Sequence, residues 1–254
     1  MSASDHTPTD DEKRRVVARL AAFGQLQEKD LVHLAEMARS PRQLKRGALI
    51  LGESQNPTNL SLLVDGWAAS AITLANGCRQ LTMIALPGDM LGLPALAVQE
   101  PVDGVIALTK AVVVDIPVEA IGRLFANHPR LAAMMFLVTQ EERVFAMERL
   151  ALLGQAKARA RLAALLLRLS ERVAQVEGAD RLDAFPMPLT QQDMGDLIGV
   201  SAVHVNALVK DLRVSGLASI EGRSLHIHDR AGLAQAAGVS RWRRSRPSWL
   251  PEGT

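Results

Sequence analysis

The segment from Leu189 to Gly216 restricts the possible folds of this chain more than any other segment, because its capping, turn and packing residues all favour the same geometry. Thr190 is a good helix N-cap, and Asp193, three residues later, can bond back to it as in a capping box. Gly199 permits the positive φ of a tight turn, and Ser201 can cap a second helix. That second helix is expected to bury a set of apolar side chains at helical spacing: Val205, Leu208, Val209 and Leu212. The segment therefore predicts two short helices joined by a tight turn, the helix-turn-helix arrangement whose second helix enters the major groove of DNA.

A hairpin pattern follows this motif directly. Residues 217–220 are strand-like, residues 221–224 favour a turn, and residues 225–228 alternate apolar and polar side chains. A hairpin in this place is the wing of a winged helix. The alternative is an ordinary pair of core helices followed by an incidental hairpin.

The charge of the chain is distributed unevenly between its two halves. Residues 1–153 carry 15 Lys and Arg against 17 Asp and Glu, a net charge of −2, whereas residues 154–254 carry 14 against 10, a net charge of +4. The excess of positive charge lies in the half with the predicted helix-turn-helix, as attraction to DNA phosphates requires.

Several classes of protein are excluded by what the sequence lacks. Its one cysteine, Cys78, excludes a disulfide framework and a four-cysteine zinc or iron–sulfur site within one chain. There is no Gly-rich phosphate loop, nucleophile elbow or metal-spaced cluster, so we predict neither an enzyme nor a bound metal or cofactor. No apolar run is long enough to span a bilayer, and the polar, acidic N-terminus is unlike a secretory signal. We therefore expect a cytoplasmic protein of bacterial type with no membrane partner.

Before the helix-turn-helix, the pattern changes from helical to strand-like and back. Residues 1–15 are polar and charged without apolar periodicity, which predicts a disordered N-terminus. After two short helical patterns, residues 44–117 contain short strands broken by turn signals, of which Asn76-Gly77 is the strongest hairpin signal. Strands at this spacing predict a small antiparallel barrel or double-sheet roll, which we assign to a sensor domain of residues 16–127.

A long helical stretch at residues 128–154 separates the predicted roll from the DNA-binding half. Apolar side chains recur in it at a spacing of seven: Leu131, Val138, Phe145 and Leu152. This spacing is typical of a coiled-coil seam, so we predict a dimerisation helix with these side chains at the interface. The alternative is a core helix that packs on the roll. Residues 155–237 form the predicted DNA-binding domain, and residues 238–254 form a basic tail that either contacts DNA phosphates or is simply solvated.

This order of elements resembles the Crp/Fnr superfamily of bacterial transcription regulators over roughly residues 20–237. The residues that carry the resemblance are Gly52-Glu53, Leu63-Val64-Asp65-Gly66, Pro87-Gly88-Asp89-Met90-Leu91-Gly92, and Leu189 to Gly216. The resemblance implies an α+β fold with an N-terminal β-roll like the jelly roll of cyclic-nucleotide-binding domains, a long dimerisation helix and a C-terminal winged helix-turn-helix. It also implies a homodimer that binds palindromic promoter sites, with RNA polymerase as a further candidate partner.

The chain departs from the members of this superfamily that bind cyclic nucleotides. Those members carry Glu after the Gly of the roll and an Arg-Ser or Arg-Thr pair downstream, which hold the ribose and the cyclic phosphate. Here Gly92 is followed by Leu93 and Pro94, and no Arg or Lys lies from Met90 to Thr109. Because a buried phosphate without a cationic partner loses its charge-assisted hydrogen bonds, we predict that cyclic AMP and cyclic GMP are not effectors.

The residues that would bind the other known effectors of the superfamily are also absent from this sequence. No histidine lies in the strand-like region, which argues against haem, and a single cysteine cannot hold a cluster of the Fnr type. Cys78 is either an exposed redox thiol or a bystander. A vestigial pocket, an apolar or unidentified ligand, and control by expression level remain open, so the effector is unknown.

The second helix of the motif is expected to contact bases through the face opposite its core. Asn206 can pair with adenine, Val203 can contact a thymine methyl group, and Lys210 suits phosphate or guanine. Helix caps and basic flanking residues are expected to contact phosphates. The full set of predicted DNA-binding residues is Thr190, Gln191, Ser201, Ala202, Val203, His204, Asn206, Ala207, Lys210, Arg213 and Arg223.

The sequence thus predicts a sequence-specific, DNA-binding transcription regulator whose partners are double-stranded DNA and a second copy of the chain. The alternative function is a signalling or interaction module whose roll binds a protein or a small ligand and whose helix-turn-helix is degenerate. The apolar, arginine-poor face of the second helix favours this alternative.

Overall fold

The computed structural model describes residues 9–52, 58–98, 103–238 and 247–250. The chain divides into two compact units. The first consists of residues 1–72, 83–142 and 243–254, and the second of residues 73–82 and 143–242. Within the described ranges, no helix is both long and apolar enough to cross a membrane.

The first unit begins with helices α1 (Asp10–Ala21) and α2 (Glu28–Met37). A capping box starts α1, because the Glu12 amide donates to Thr9 Oγ1 at 3.2 Å and the Thr9 amide donates to Glu12 Oε2 at 2.7 Å. The prediction of disorder through residue 15 is therefore wrong for residues 10–15, since this cap and the acidic first turn favour a helix. Residues 1–8 lie outside the described part of the chain.

The predicted β-roll is confirmed. Its strands are β1 (Pro41–Leu44), β2 (Leu49–Leu51), β3 (Asn59–Asp65), β4 (Ala68–Thr73), β5 (Arg79–Ala85), β6 (Met90–Leu91), β7 (Gly104–Ala107) and β8 (Ala111–Pro117). They form two four-stranded sheets with the orders β1-β8-β3-β6 and β2-β7-β4-β5. The sheets share an apolar core that includes Leu63, Leu91, Val105 and Val113, each at most 1% exposed.

Helices α3 (Val118–Asn127) and α4 (Pro129–Gln155) follow the roll, and His128 separates them. Leu124, Leu131 and Met134 are fully buried in a second apolar cluster to which Leu60 of β3 also belongs. The beginning of α4 is therefore a core helix of the first unit.

The second unit contains α5 (Ala158–Glu177), β9 (Ala184–Pro186), α6 (Gln191–Ile198), α7 (Ala202–Val214), β10 (Ala218–Glu221), β11 (Ser224–Ile227) and α8 (Arg230–Ala237). Strands β10 and β11 form the predicted hairpin, and β9 completes a sheet of order β10-β11-β9. Leu162 and Leu166 of α5 are buried, as are Leu225 of β11 and Leu233 of α8. The predicted winged helix-turn-helix is confirmed. Most of the predicted basic tail, including Arg241 to Arg246, lies outside the described residues.

Candidate nucleic-acid interface

Helix α6 is capped as its sequence predicts. The Asp193 amide donates to Thr190 Oγ1 at 3.0 Å, and the Thr190 amide donates to Asp193 Oδ2 at 2.9 Å. Leu189 before the cap and Met194 after it are both buried. The start of the helix-turn-helix is thus fixed by local hydrogen bonds and by packing.

The turn between α6 and α7 depends on two glycines. Gly199 has a φ of +69°, in the left-handed region that glycine tolerates best. Its amide and that of Val200 both donate to the Gly195 carbonyl, at 2.8 and 3.1 Å. A Cβ on Gly195 would lie 2.5 Å from the Val200 carbonyl oxygen, so no side chain fits there. No local pattern in the sequence indicated this role of Gly195.

Helix α7 presents one face to the core and another to solvent. Its cap is confirmed, because Ser201 Oγ accepts the His204 amide at 3.3 Å. Val205 and Leu212 are buried, and Leu208 and Val209 are partly buried. The predicted base-contacting side chains are exposed: Val203, His204, Asn206, Ala207 and Lys210. Ala202 is partly buried.

A hydrogen bond joins the exposed surfaces of the two helices. Gln191 Nε2, at the first position of α6, donates to Asn206 Oδ1 at 3.2 Å. Because this oxygen can accept a second hydrogen bond, the Asn206 amide keeps the donor and acceptor that a bidentate contact with adenine uses. Sequence spacing alone did not indicate this pairing.

The wing ends in a tight turn whose central residues are Gly222 and Arg223, with φ of +55° and +66°. Two positive φ values match the twist of a two-residue hairpin. Among the described residues, Arg223 is the only non-glycine residue with a positive φ. Its guanidinium donates to the Pro188 carbonyl at 2.9 Å, which ties the wing tip to the chain just before α6. Arg213, at the end of α7, is also exposed.

Two of the four side chains predicted at the dimer interface are already covered within the single chain. Leu131 is fully buried and Val138 is 9% exposed, because the core of the first unit already covers this face of α4. The guanidinium of Arg168 lies over the ring of Phe145, and Leu152 is partly buried. The exposed apolar side chains of α4 lie on another face: Phe136, Val144, Met147 and Leu150.

Among the described residues, no group of three or more His, Cys, Asp or Glu side chains is placed to hold a metal ion. Cys78 is exposed beside the turn between β4 and β5. His226 and His228 lie in or next to the wing strand β11, where His228 Nε2 lies 2.9 Å from Ser219 Oγ.

Comparison with known proteins agrees with this geometry. A model of the cyclic nucleotide-binding domain matches residues 41–128, and a model of the Crp-like helix-turn-helix domain matches residues 160–236. The fumarate and nitrate reduction regulatory proteins of Escherichia coli K12 and Vibrio cholerae are each 26% identical over 216 residues, which is 85% of this chain and 86% of theirs. The structure of FixK2 from Bradyrhizobium japonicum covers 80% of this chain and 99% of its own, with a TM-score of 0.70 and 21% identity. With a cyclic nucleotide-binding domain followed by an intact Crp-like helix-turn-helix domain, the chain has the domain organisation of the Crp-type DNA-binding transcription regulators to which it is similar.

Proposed function

We propose that this regulator binds palindromic DNA as a homodimer and contacts bases through the exposed face of α7. The observation that carries the proposal is that Val203, Asn206, Ala207 and Lys210 are all exposed on a helix whose opposite face is buried. Val203 is 82% exposed, which leaves its methyl groups without apolar contacts in the free chain. Burial of these methyl groups against thymine methyl groups supplies such contacts.

The chemistry of this face favours A·T base pairs. Asn206 suits adenine, and Val203 suits the thymine methyl group. The face has no Arg for bidentate contact with guanine and no Glu to accept from cytosine, so only Lys210 could contact guanine. We therefore expect each half-site to contain an A·T step beneath Val203 and Asn206.

Phosphate contacts are assigned to the residues around this face. Thr190, Gln191 and Ser201 lie at the N-terminal ends of α6 and α7, where backbone amides favour anions. Arg213 and Arg223 add positive charge at the end of α7 and at the wing tip. Such contacts position the protein but do not distinguish sequences.

The dimer is assigned to the exposed stripe of α4. Val144, Met147 and Leu150 recur every three residues, and Leu150 is 72% exposed. Full burial of one such side chain stabilises an interface by roughly 1.5–3 kcal/mol. A second copy of α4 is the partner that supplies a matching stripe.

We also infer that DNA binding needs no cyclic nucleotide. The roll core around Leu63, Leu91 and Val105 is filled by its own apolar side chains. Gly92 starts a 3-10 turn with Leu93 and Pro94, and neither can bond a ribose hydroxyl through its side chain.

Selection from random duplex DNA by the full-length protein tests the proposal. Recovered sequences should share a two-fold symmetric motif with A·T pairs in each half, whereas recovery of asymmetric or unrelated sequences would contradict it. Sedimentation equilibrium tests the dimer, which Leu150→Glu should dissociate. Leu96→Glu places the same charge at another exposed leucine, 42% exposed, and should leave the dimer intact. A monomeric wild-type protein would refute the assigned interface.

A further inference from the structure

The tip of the β4–β5 hairpin belongs to the same compact unit as the helix-turn-helix. Arg79, at the start of β5, lies between two carboxylates of α6. Its Nη2 is 3.3 Å from Asp193 Oδ1 and 3.0 Å from Asp196 Oδ2. Gln80 donates to the backbone carbonyl of Asp196. The hairpin thus contacts α6 through both side chains and backbone.

A second arginine joins the same hairpin to the other end of α6. Arg149 of α4 donates through Nη2 to the Leu81 carbonyl at 2.6 Å and through Nη1 to the Thr82 carbonyl. Its Nε donates to the Leu197 carbonyl at 3.1 Å. Because Leu197 lies in the last turn of α6, this bond satisfies a carbonyl that has no partner within the helix and places a cation at its negative end.

The position of Arg149 connects these contacts to the proposed dimer. Arg149 lies in the same turns of α4 as Met147 and Leu150 but on the opposite face, so this segment of the helix bonds to α6 on one side and presents the exposed stripe on the other. Its partners in these bonds are backbone carbonyls, and burial lowers its pKa because the charged form loses hydration. Partial burial of a cation costs hydration free energy, so the contacts of Arg149 are better explained by a role in positioning α6 than by a gain in stability.

We propose that the hairpin tip and Arg149 form a clamp that fixes α6 relative to the dimer helix, at the separation that the two half-sites of a palindrome require. This inference rests on the proposed function. Half-sites lie about 34 Å apart, one turn of DNA, so both motifs of a dimer must be held at a defined distance. Arg79 and Arg149 are positioning residues, since neither belongs to the face that contacts DNA.

The clamp predicts a difference between palindromic and single half-sites. When the two helix-turn-helix motifs of a dimer are held at a fixed distance, the second motif binds its half-site intramolecularly once the first is bound. This raises the affinity for a palindrome above the affinity for one half-site. Without the clamp α6 is mobile, so binding of the second half-site must also order the helix-turn-helix motif. The entropic cost of this ordering lowers the affinity for the palindrome. Binding to one half-site, which uses one motif, does not depend on that distance.

The test uses a duplex selected from random DNA by the wild-type protein, and the same duplex with one half-site scrambled. Arg79→Gln and Arg149→Gln should each lose about tenfold in affinity on the intact duplex and less than about twofold on the scrambled one. Arg181→Gln is the matched control, because Arg181 forms an exposed ion pair with Asp183 in the same unit. Equal losses on both duplexes, or no loss on the intact one, would overturn the clamp.

Hydrogen–deuterium exchange on the free protein tests the clamp without DNA. Peptides from residues 73–82 and 190–199 should exchange faster in Arg79→Gln and Arg149→Gln, but not in Arg181→Gln. Unchanged exchange in both variants would overturn the clamp, whatever the DNA experiments show. Failure of the wild-type protein to select any DNA is a separate outcome, and it would refute the proposed function. Arg79 is exposed, so Arg79→Gln remains informative if Arg149→Gln does not fold.

Discussion

Replacement of Gly195 by alanine tests whether the helix-turn-helix has the geometry described. In an exposed helix this change stabilises by up to about 1 kcal/mol, because alanine loses less backbone entropy on folding. At Gly195 the new Cβ would lie 2.5 Å from the Val200 carbonyl oxygen, and ordinary contact begins at 3.4 Å, so the turn must move by 0.9 Å. That movement stretches the two bonds from the amides of Gly199 and Val200 to the Gly195 carbonyl.

The two stretched bonds contribute about 1 kcal/mol each, and overpacking costs about 1–3 kcal/mol. After subtraction of the helix-propensity gain of up to about 1 kcal/mol, we expect Gly195→Ala to destabilise the second unit by about 2–4 kcal/mol and to lower its Tm by about 10–20 °C. Calorimetry measures this change. Gly122→Ala is the matched control, because Gly122 lies in α3 with nothing within 4 Å of a new Cβ, and its Tm should rise. If both variants gained stability, the close approach in the turn would be refuted.

Three further changes test other parts of the structure. Asn206→Ala should weaken binding to the selected duplex by about 1–3 kcal/mol and leave binding to scrambled DNA unchanged in anisotropy titrations; equal loss on both would contradict a base contact. Arg19 is buried against Asp89, Glu141 and Glu142, so Arg19→Met should destabilise by about 3–5 kcal/mol in urea unfolding, whereas the exposed Arg14→Met should cost at most about 1 kcal/mol. Burial, with the charges of His128 and Arg123, lowers the pKa of His33. Because the unfolded chain then binds more protons, acidification through about pH 6.5 should lower the Tm, and His33→Gln should reduce that loss. An identical pH dependence in His33→Gln would contradict the assignment.

The helix-turn-helix could be predicted from sequence because its determinants are local. The caps at Thr190 and Ser201 and the turn at Gly199 each act within a few residues of chain. The exposed face of α7 follows from the positions of Val205 and Leu212 in one helical period. Such features require no knowledge of distant contacts.

The proposed dimer surface and the proposed clamp could not be predicted in this way. A spacing of seven identifies an apolar stripe on α4 but does not show that the core already covers Leu131 and Val138. Arg79 and Arg149 lie far in sequence from Asp196 and Leu197, so only the fold brings them together. The N-terminal cap at Thr9 was a local signal that the polar composition of the segment obscured.

The most direct test of sequence-specific DNA binding is fluorescence anisotropy of the full-length protein, without cyclic nucleotide, on the selected duplex and on a scrambled duplex across a salt series. We predict binding to the selected duplex that is at least about 10³-fold tighter, with an affinity that falls steadily as salt rises. Equal affinity for the two duplexes at every salt concentration would contradict base contacts by α7.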